Sequence, residues 1–157
     1  MSRSALTSAA LLVVVLLSAG LASAPAPAAA DFIKLRRQYV PREAVWFNGR
    51  EGDLEKHAIR RDGQLCITAT DLLRHVGGTM VWGPGNNWVE VHRGDNTLRL
   101  IPGSRQVLLN GQSHQLLAPA ARIAGNTWIP AANVCHLLGI AANWNADEQR
   151  LYVTYKP

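Results

Sequence analysis

The stretch Gly125-Asn126-Thr127-Trp128-Ile129-Pro130-Ala131-Ala132-Asn133-Val134-Cys135-His136-Leu137-Leu138-Gly139 reads as a turn, a strand, a short helix and a stop. Ala131, Val134, Cys135 and Leu138 recur at i, i+3, i+4 and i+7, the spacing of one helix face. Pro130 suits a helix start, where a missing N–H costs little. Gly139 supplies the left-handed residue that ends a helix. The same reading applies 62 positions earlier, from Gly63 to Gly77. There Ala69, Leu72, Leu73 and Val76 form the face, Thr68 and Asp71 resemble a capping box, and Gly77 is the stop. Helices of about nine residues are too short to be stable alone, so each must pack on a sheet.

Working outward, the 62-residue shift aligns the two halves with 12 identities and no gap. Val45, Asn48 and Gly49 fall on Val107, Asn110 and Gly111, and Arg60, Trp82 and Val91 fall on Arg122, Trp144 and Val153. Asn48-Gly49 and Asn110-Gly111 each end a short apolar run, the signature of a tight hairpin. Returning strands are expected around Leu54 and Leu116, and second turns at Asp62-Gly63 and Gly125-Asn126. After each helix come strands Thr79–Trp82 and Ala141–Trp144. The strands that follow alternate cleanly. Val89 and Val91, or Leu151 and Val153, face one side; Trp88, Glu90 and His92, or Arg150, Tyr152 and Thr154, face the other. A further strand, Thr97 to Ile101, leads into the second half. The expected class is α+β: two tandem repeats, each of short antiparallel strands and hairpins packed on one short α-helix. Their bounds are 45–106 and 107–157, within one compact mature domain.

Residues 1–30 read as a signal peptide: Arg3, an apolar run from Leu11 to Leu17, then small residues with cleavage near Ala30. An uncleaved anchor is the alternative. Export to the periplasm, the cell surface or the medium follows, with no stable membrane insertion after cleavage. Residues 31–44 form a basic arm with Lys34, Arg36 and Arg37 at its centre. Loss of Arg3 lowers the formal net charge from +5 to +4, spread too thinly for a nucleic-acid face. An oxidising compartment would permit a disulfide between Cys66 and Cys135. Both fall at packing positions of the repeat, and pairing is left open.

At this point the residues resemble a known family. Leu98-Arg99-Leu100-Ile101-Pro102-Gly103-Ser104, Val107-Leu108-Leu109-Asn110-Gly111, Ala120, Gly125-Asn126-Thr127-Trp128-Ile129-Pro130, Leu138-Gly139 and Trp144 are similar in order to the copper amine oxidase N-terminal-like domain, also called the stalk domain. The likeness covers essentially residues 43–157 and is weaker in the first half. It implies an exported, non-catalytic accessory domain, separate from the copper and quinone site of the founding enzyme. It implies neither copper nor amine oxidation in this chain. Three departures stand out: Thr68 where Pro is usual, Ala132 where Arg often follows the Pro, and no acidic residue on the second helix.

Catalytic and metal motifs are absent from the sequence. His57, His75, His92, His114 and His136 form no HxH, HxxxH or HExxH spacing. There is no CxxC, GxSxG, GxGxxG or P-loop. No cofactor, metal site or catalytic residue is assigned. Residues shared by both halves are expected to serve the fold, which places Trp82 and Trp144 in the core. Trp46, Trp88 and Trp128 are unshared. Trp46 and Trp88, with Glu90 and His92, are the candidate ligand-binding residues, because aromatic rings beside polar groups stack on sugars; packing between the halves is the plainer alternative. The expected partner is cell-wall glycan or peptidoglycan. A second reading is another envelope protein, or a stalk-type homo-oligomer joined through exposed strand edges. An uncharacterised hydrolase is third.

Overall fold

A computed structural model describes residues 44–156. The leader, the cleavage region near Ala30 and the arm residues Lys34, Arg36 and Arg37 lie outside the described residues. The described residues are mostly sheet with two short helices, an α+β arrangement. The strands are β1 (Val45–Phe47), β2 (Arg50–Glu51), β3 (Ile59–Arg61), β4 (Gln64–Thr68), β5 (Thr79–Trp82), β6 (Val89–Arg93), β7 (Asn96–Leu100), β8 (Gln106–Leu109), β9 (Gln112–Gln115), β10 (Ala121–Ile123), β11 (Asn126–Pro130), β12 (Ala141–Asn145) and β13 (Arg150–Thr154). Helix α1 is Ala69–Val76 and helix α2 is Ala131–Leu137. No helix among these residues is long and apolar enough to cross a membrane.

Three sheets result, with orders β12-β13-β1-β2, β10-β11-β4-β3 and β5-β6-β7-β8-β9. In the middle one β4 and β11 run antiparallel, and Ile67 sits opposite Ile129. The position 106/107 is not a border between sheets. Hairpin β1–β2 joins β12–β13, while β8–β9 joins β5–β6 through β7. One ladder departs from the expected antiparallel pattern: β1 lies parallel to β13, with Val45 opposite Leu151 and Phe47 opposite Val153. The antiparallel side of β1 is taken by β2. The parallel register puts the buried Val45, Phe47, Leu151 and Val153 on one face. They join a core with Leu54, Ile67, Leu72, Leu98, Leu100, Ile129 and Leu138, all close to fully buried.

The turns follow from the sequence with two corrections. Asn48 and Gly49 have φ of 47° and 77°, and Asn110 and Gly111 have 51° and 82°, the paired positive values of a two-residue hairpin. The second turn of the later half is Ala124-Gly125, one residue earlier than expected, with φ of 48° and 80°. Asn126 already belongs to β11, so an alanine is left in the left-handed region. The returning strands also end early, at Glu51 and Gln115, so Leu54 and Leu116 are buried loop anchors outside them. Gly52 explains the first case. A Cβ there would lie 2.8 Å from both the Phe47 ring and the Val45 carbonyl, so only glycine lets the chain fold over β1 at that point.

Helix α1 starts as its sequence suggests. The Thr68 hydroxyl accepts the Asp71 N–H at 3.0 Å and donates to Asp71 Oδ2 at 2.8 Å. The Asp71 carboxylate does not complete the box by turning back on Thr68 N–H; it accepts the Glu55 N–H at 2.9 Å and Arg74 Nη2 at 3.1 Å. In the later half Asn133 Oδ1 accepts the Leu117 N–H at 2.7 Å. Each helix therefore ties down the loop that precedes its sheet strands. Gly77, at φ 78°, ends α1.

Candidate functional site

The sequence candidates separate onto two outer sheet faces. Trp88, Glu90 and His92 come together on the side of β6 opposite the buried Val89 and Val91. Arg99 of β7 completes the group. It donates through Nε to Glu90 Oε1 at 2.8 Å, and its guanidinium lies 4.5 Å over the Trp88 ring. Glu90 Oε2 is 3.6 Å from His92 Nε2, and His92 Nδ1 is 3.1 Å from Thr97 Oγ1. Gly83 backs the ring closely; a Cβ there would come within 2.1 Å of it. Val81 and Ile101, 49% and 43% exposed, flank this charged group.

Trp46 belongs to the other face. It stands on β1, opposite Glu51 of β2 and Tyr152 of β13. The Trp46 and Tyr152 ring centroids are 6.1 Å apart at 46°, and the Arg150 guanidinium is 5.0 Å over Trp46. The Tyr152 hydroxyl donates to Glu148, and Arg150 Nη1 lies 3.8 Å from the same carboxylate. Asn143 and Asn145 of β12 sit opposite Tyr152 and Arg150. A sheet face with two partly exposed rings, an arginine and a row of amides results. Arg150 and Tyr152 had the outward parity in the sequence; Trp46, more than a hundred positions before them, gave no sign that it would lie beside them.

Beside that face a cleft of about 500 Å³ opens at the foot of the β1–β2 hairpin, lined by Phe47, Asn48, Arg50, Glu51, Asp53, His75 and Tyr155. The Phe47 and His75 rings stack at 4.0 Å and 11°. The Asp53 carbonyl accepts from Arg74 Nη2 and lies 3.3 Å from His75 Nε2. Asn48 binds Tyr155 twice, donating from Nδ2 to its carbonyl at 3.1 Å and accepting its N–H at 2.9 Å. No pair of motif residues in the sequence points to this cleft, because its walls come from three separate elements.

A model of the copper amine oxidase N-terminal domain matches residues 46–153, well over half of the chain. The chain belongs to the copper amine oxidase N-terminal domain family. No curated protein matches it. The matched span runs from the Trp46 platform through the Trp88 group to Val153 of β13. Among the described residues of this copper amine oxidase N-terminal domain, no three His, Cys, Asp or Glu side chains are grouped as a metal would need. Glu90 and Asp71 sit in separate hydrogen-bond networks.

The remaining tryptophans revise one expectation. Trp82 and Trp144 are only half-buried, at the rim of the core, under Arg122 at 4.8 Å and Arg60 at 4.3 Å. Trp128 is the more buried ring, at 8% exposure. An arginine lid lets a large ring stay at the rim, since the guanidinium covers its face. Cys66 and Cys135 are buried free thiols. Burial pushes them up to about 11 and about 12.

Proposed function

We propose that this is an exported, non-catalytic cell-envelope module that binds cell-wall glycan or peptidoglycan through the outer face of the β12-β13-β1-β2 sheet. The observation that carries the reading is the Trp46–Tyr152 pair, with centroids 6.1 Å apart, beside Arg150 and Asn143. Sugar rings present apolar C–H faces edged by hydroxyl groups. A half-exposed aromatic pair takes the first and fixed amide and guanidinium groups take the second. Export rests on the leader pattern of residues 1–30, and the basic arm would add attraction to acidic wall polymers.

The fold reading beneath it is that of two tandem repeats that have exchanged their opening hairpins. It is supported by pairs of contacts related by the 62-residue shift. Ile67 meets Ile129, Arg60 covers Trp144 as Arg122 covers Trp82, and Asp71 holds Glu55 as Asn133 holds Leu117.

The test is retention on purified cell-wall sacculi. Wild type is retained, Trp46→Ala is largely released with its circular dichroism unchanged, and Trp88→Ala is reduced less. Release of neither variant would sink the assignment of these faces, and no retention of wild type would sink the glycan reading. A second reading, a protein contact or homo-oligomer, is favoured on the other face, where exposed Val81 and Ile101 flank Trp88. A stable oligomer by light scattering, lost in Val81→Asp and accompanied by no sacculus retention, would favour it.

A further inference from the structure

We propose that the cleft below the Trp46 platform binds a short zwitterionic peptide, the peptide side chain of the cell-wall glycan. This rests on the glycan reading above and extends it to a second subsite. The cleft holds about 500 Å³, within the usual range of small-ligand sites. Its floor is apolar and stiff: Phe47 is stacked on His75, and Asn48 clamps the Tyr155 backbone from both sides. Its rim carries both signs of charge. Arg50 lies on one strand of the hairpin, and Asp53 follows two residues after that strand's Glu51.

Among the described residues, neither the Arg50 guanidinium nor the Asp53 carboxylate has a hydrogen bond or ion pair within the protein. The Asp53 backbone is nevertheless fixed, because its carbonyl is held by Arg74 and His75. Arg50 offers one cation, and Asp53 and Glu51 two carboxylates, over a preorganised apolar floor, a set that takes a ligand with both a carboxylate and an ammonium. A neutral sugar satisfies neither. A short peptide ending in a carboxylate and carrying a diamino-acid side chain satisfies both.

The position of the cleft supplies the link to the glycan. Glu51 lines the cleft and is also the residue opposite Trp46 in the β1–β2 ladder. One residue therefore borders both subsites. A sugar on Trp46 would place a substituent at Glu51, at the mouth of the cleft. Strand β2 is also the edge of its sheet, so an extended peptide meets open backbone groups there.

Titration calorimetry on the mature chain tests this with three probes. They are a cell-wall disaccharide, a free tetrapeptide with one unblocked diamino-acid side chain, and the same tetrapeptide joined to the disaccharide. The expected result is at least tenfold tighter binding of the glycopeptide than of the disaccharide. Arg50→Ala and Asp53→Asn should each remove most of that gain while leaving the disaccharide affinity unchanged. Acetylating the peptide amine should weaken binding to wild type and leave Asp53→Asn unaffected. Equal affinity for disaccharide and glycopeptide would overturn the peptide subsite and leave the glycan reading standing. Binding of the free tetrapeptide without any binding of the disaccharide would keep the cleft's ligand class and overturn the glycan reading. Binding of none of the three would overturn both.

Discussion

The Arg60 guanidinium lies 4.3 Å over the Trp144 ring, joining two residues 84 positions apart in the chain. Arg122 stands over Trp82 at 4.8 Å in the mirror arrangement. Each pair ties a strand of the middle sheet to the edge region of an outer sheet, so both act as fasteners between layers. A partly desolvated cation–π contact is worth about 0.5–2 kcal/mol. Arg60→Ala and Trp144→Leu should therefore show a coupling energy of that order in a double-mutant cycle read by urea unfolding. Independent, additive effects would mean that the guanidinium merely covers the ring without holding it.

Asp71 gives a second prediction, with its own control in the protein. It is 1% exposed and accepts from Thr68, Glu55 and Arg74. Asp71→Ala leaves the Glu55 N–H without its acceptor and removes the cap partner, a loss of about 2–4 kcal/mol. Asp71→Asn should cost about half as much or less, because Asn133 holds Leu117 with the same amide oxygen geometry. Chemical denaturation of the three proteins checks the order. Equal losses for Ala and Asn would show that the negative charge, and not the acceptor, matters.

Much of this architecture could be read before any coordinates. The Asn-Gly turns, both helix faces and the alternation of β6 and β13 are local signals, set by φ preference and by period. Sheet membership was not legible. Nothing in Val45-Trp46-Phe47 says that it will lie parallel to Leu151-Tyr152-Val153, since that pairing depends on which core face is left open elsewhere. Trp82 and Trp144 illustrate a related limit: being shared by both halves placed them in the core, yet they stop half-buried at its rim under arginines 40 and 84 positions away. The cleft was invisible for the same reason, as Phe47, Asp53 and His75 meet only after α1 docks beside β1.

Ala124 carries the third prediction. It holds φ of 48° in a turn whose counterpart uses Asp62 at 47°. The left-handed region costs an alanine roughly 1–2 kcal/mol, and Asn or Asp less. Ala124→Asn should raise stability by about 0.5–1 kcal/mol and the midpoint of thermal unfolding by a few degrees, roughly. The side chain is exposed, so no packing change competes. An unchanged or lower midpoint would place the turn's strain elsewhere.

The two thiols yield a pH dependence of definite sign. Folding raises Cys66 to about 11 and Cys135 to about 12, from an ordinary value of 9.0. Desolvation is the main cause in both, with Arg61 partly offsetting it at Cys66. Below pH 9 both states hold the thiol protons, so this source of stability is fully present. Between pH 9 and the folded values the unfolded chain loses protons that the native protein keeps, and stability falls as pH rises. Replacing both cysteines by alanine should flatten that decline, as measured by denaturation at pH 8, 9 and 10. In the native protein at pH 8 both thiols should resist alkylation and react only on unfolding, because thiolate is the reactive form. Rapid labelling of folded protein would mean that one of them opens to solvent on a short timescale.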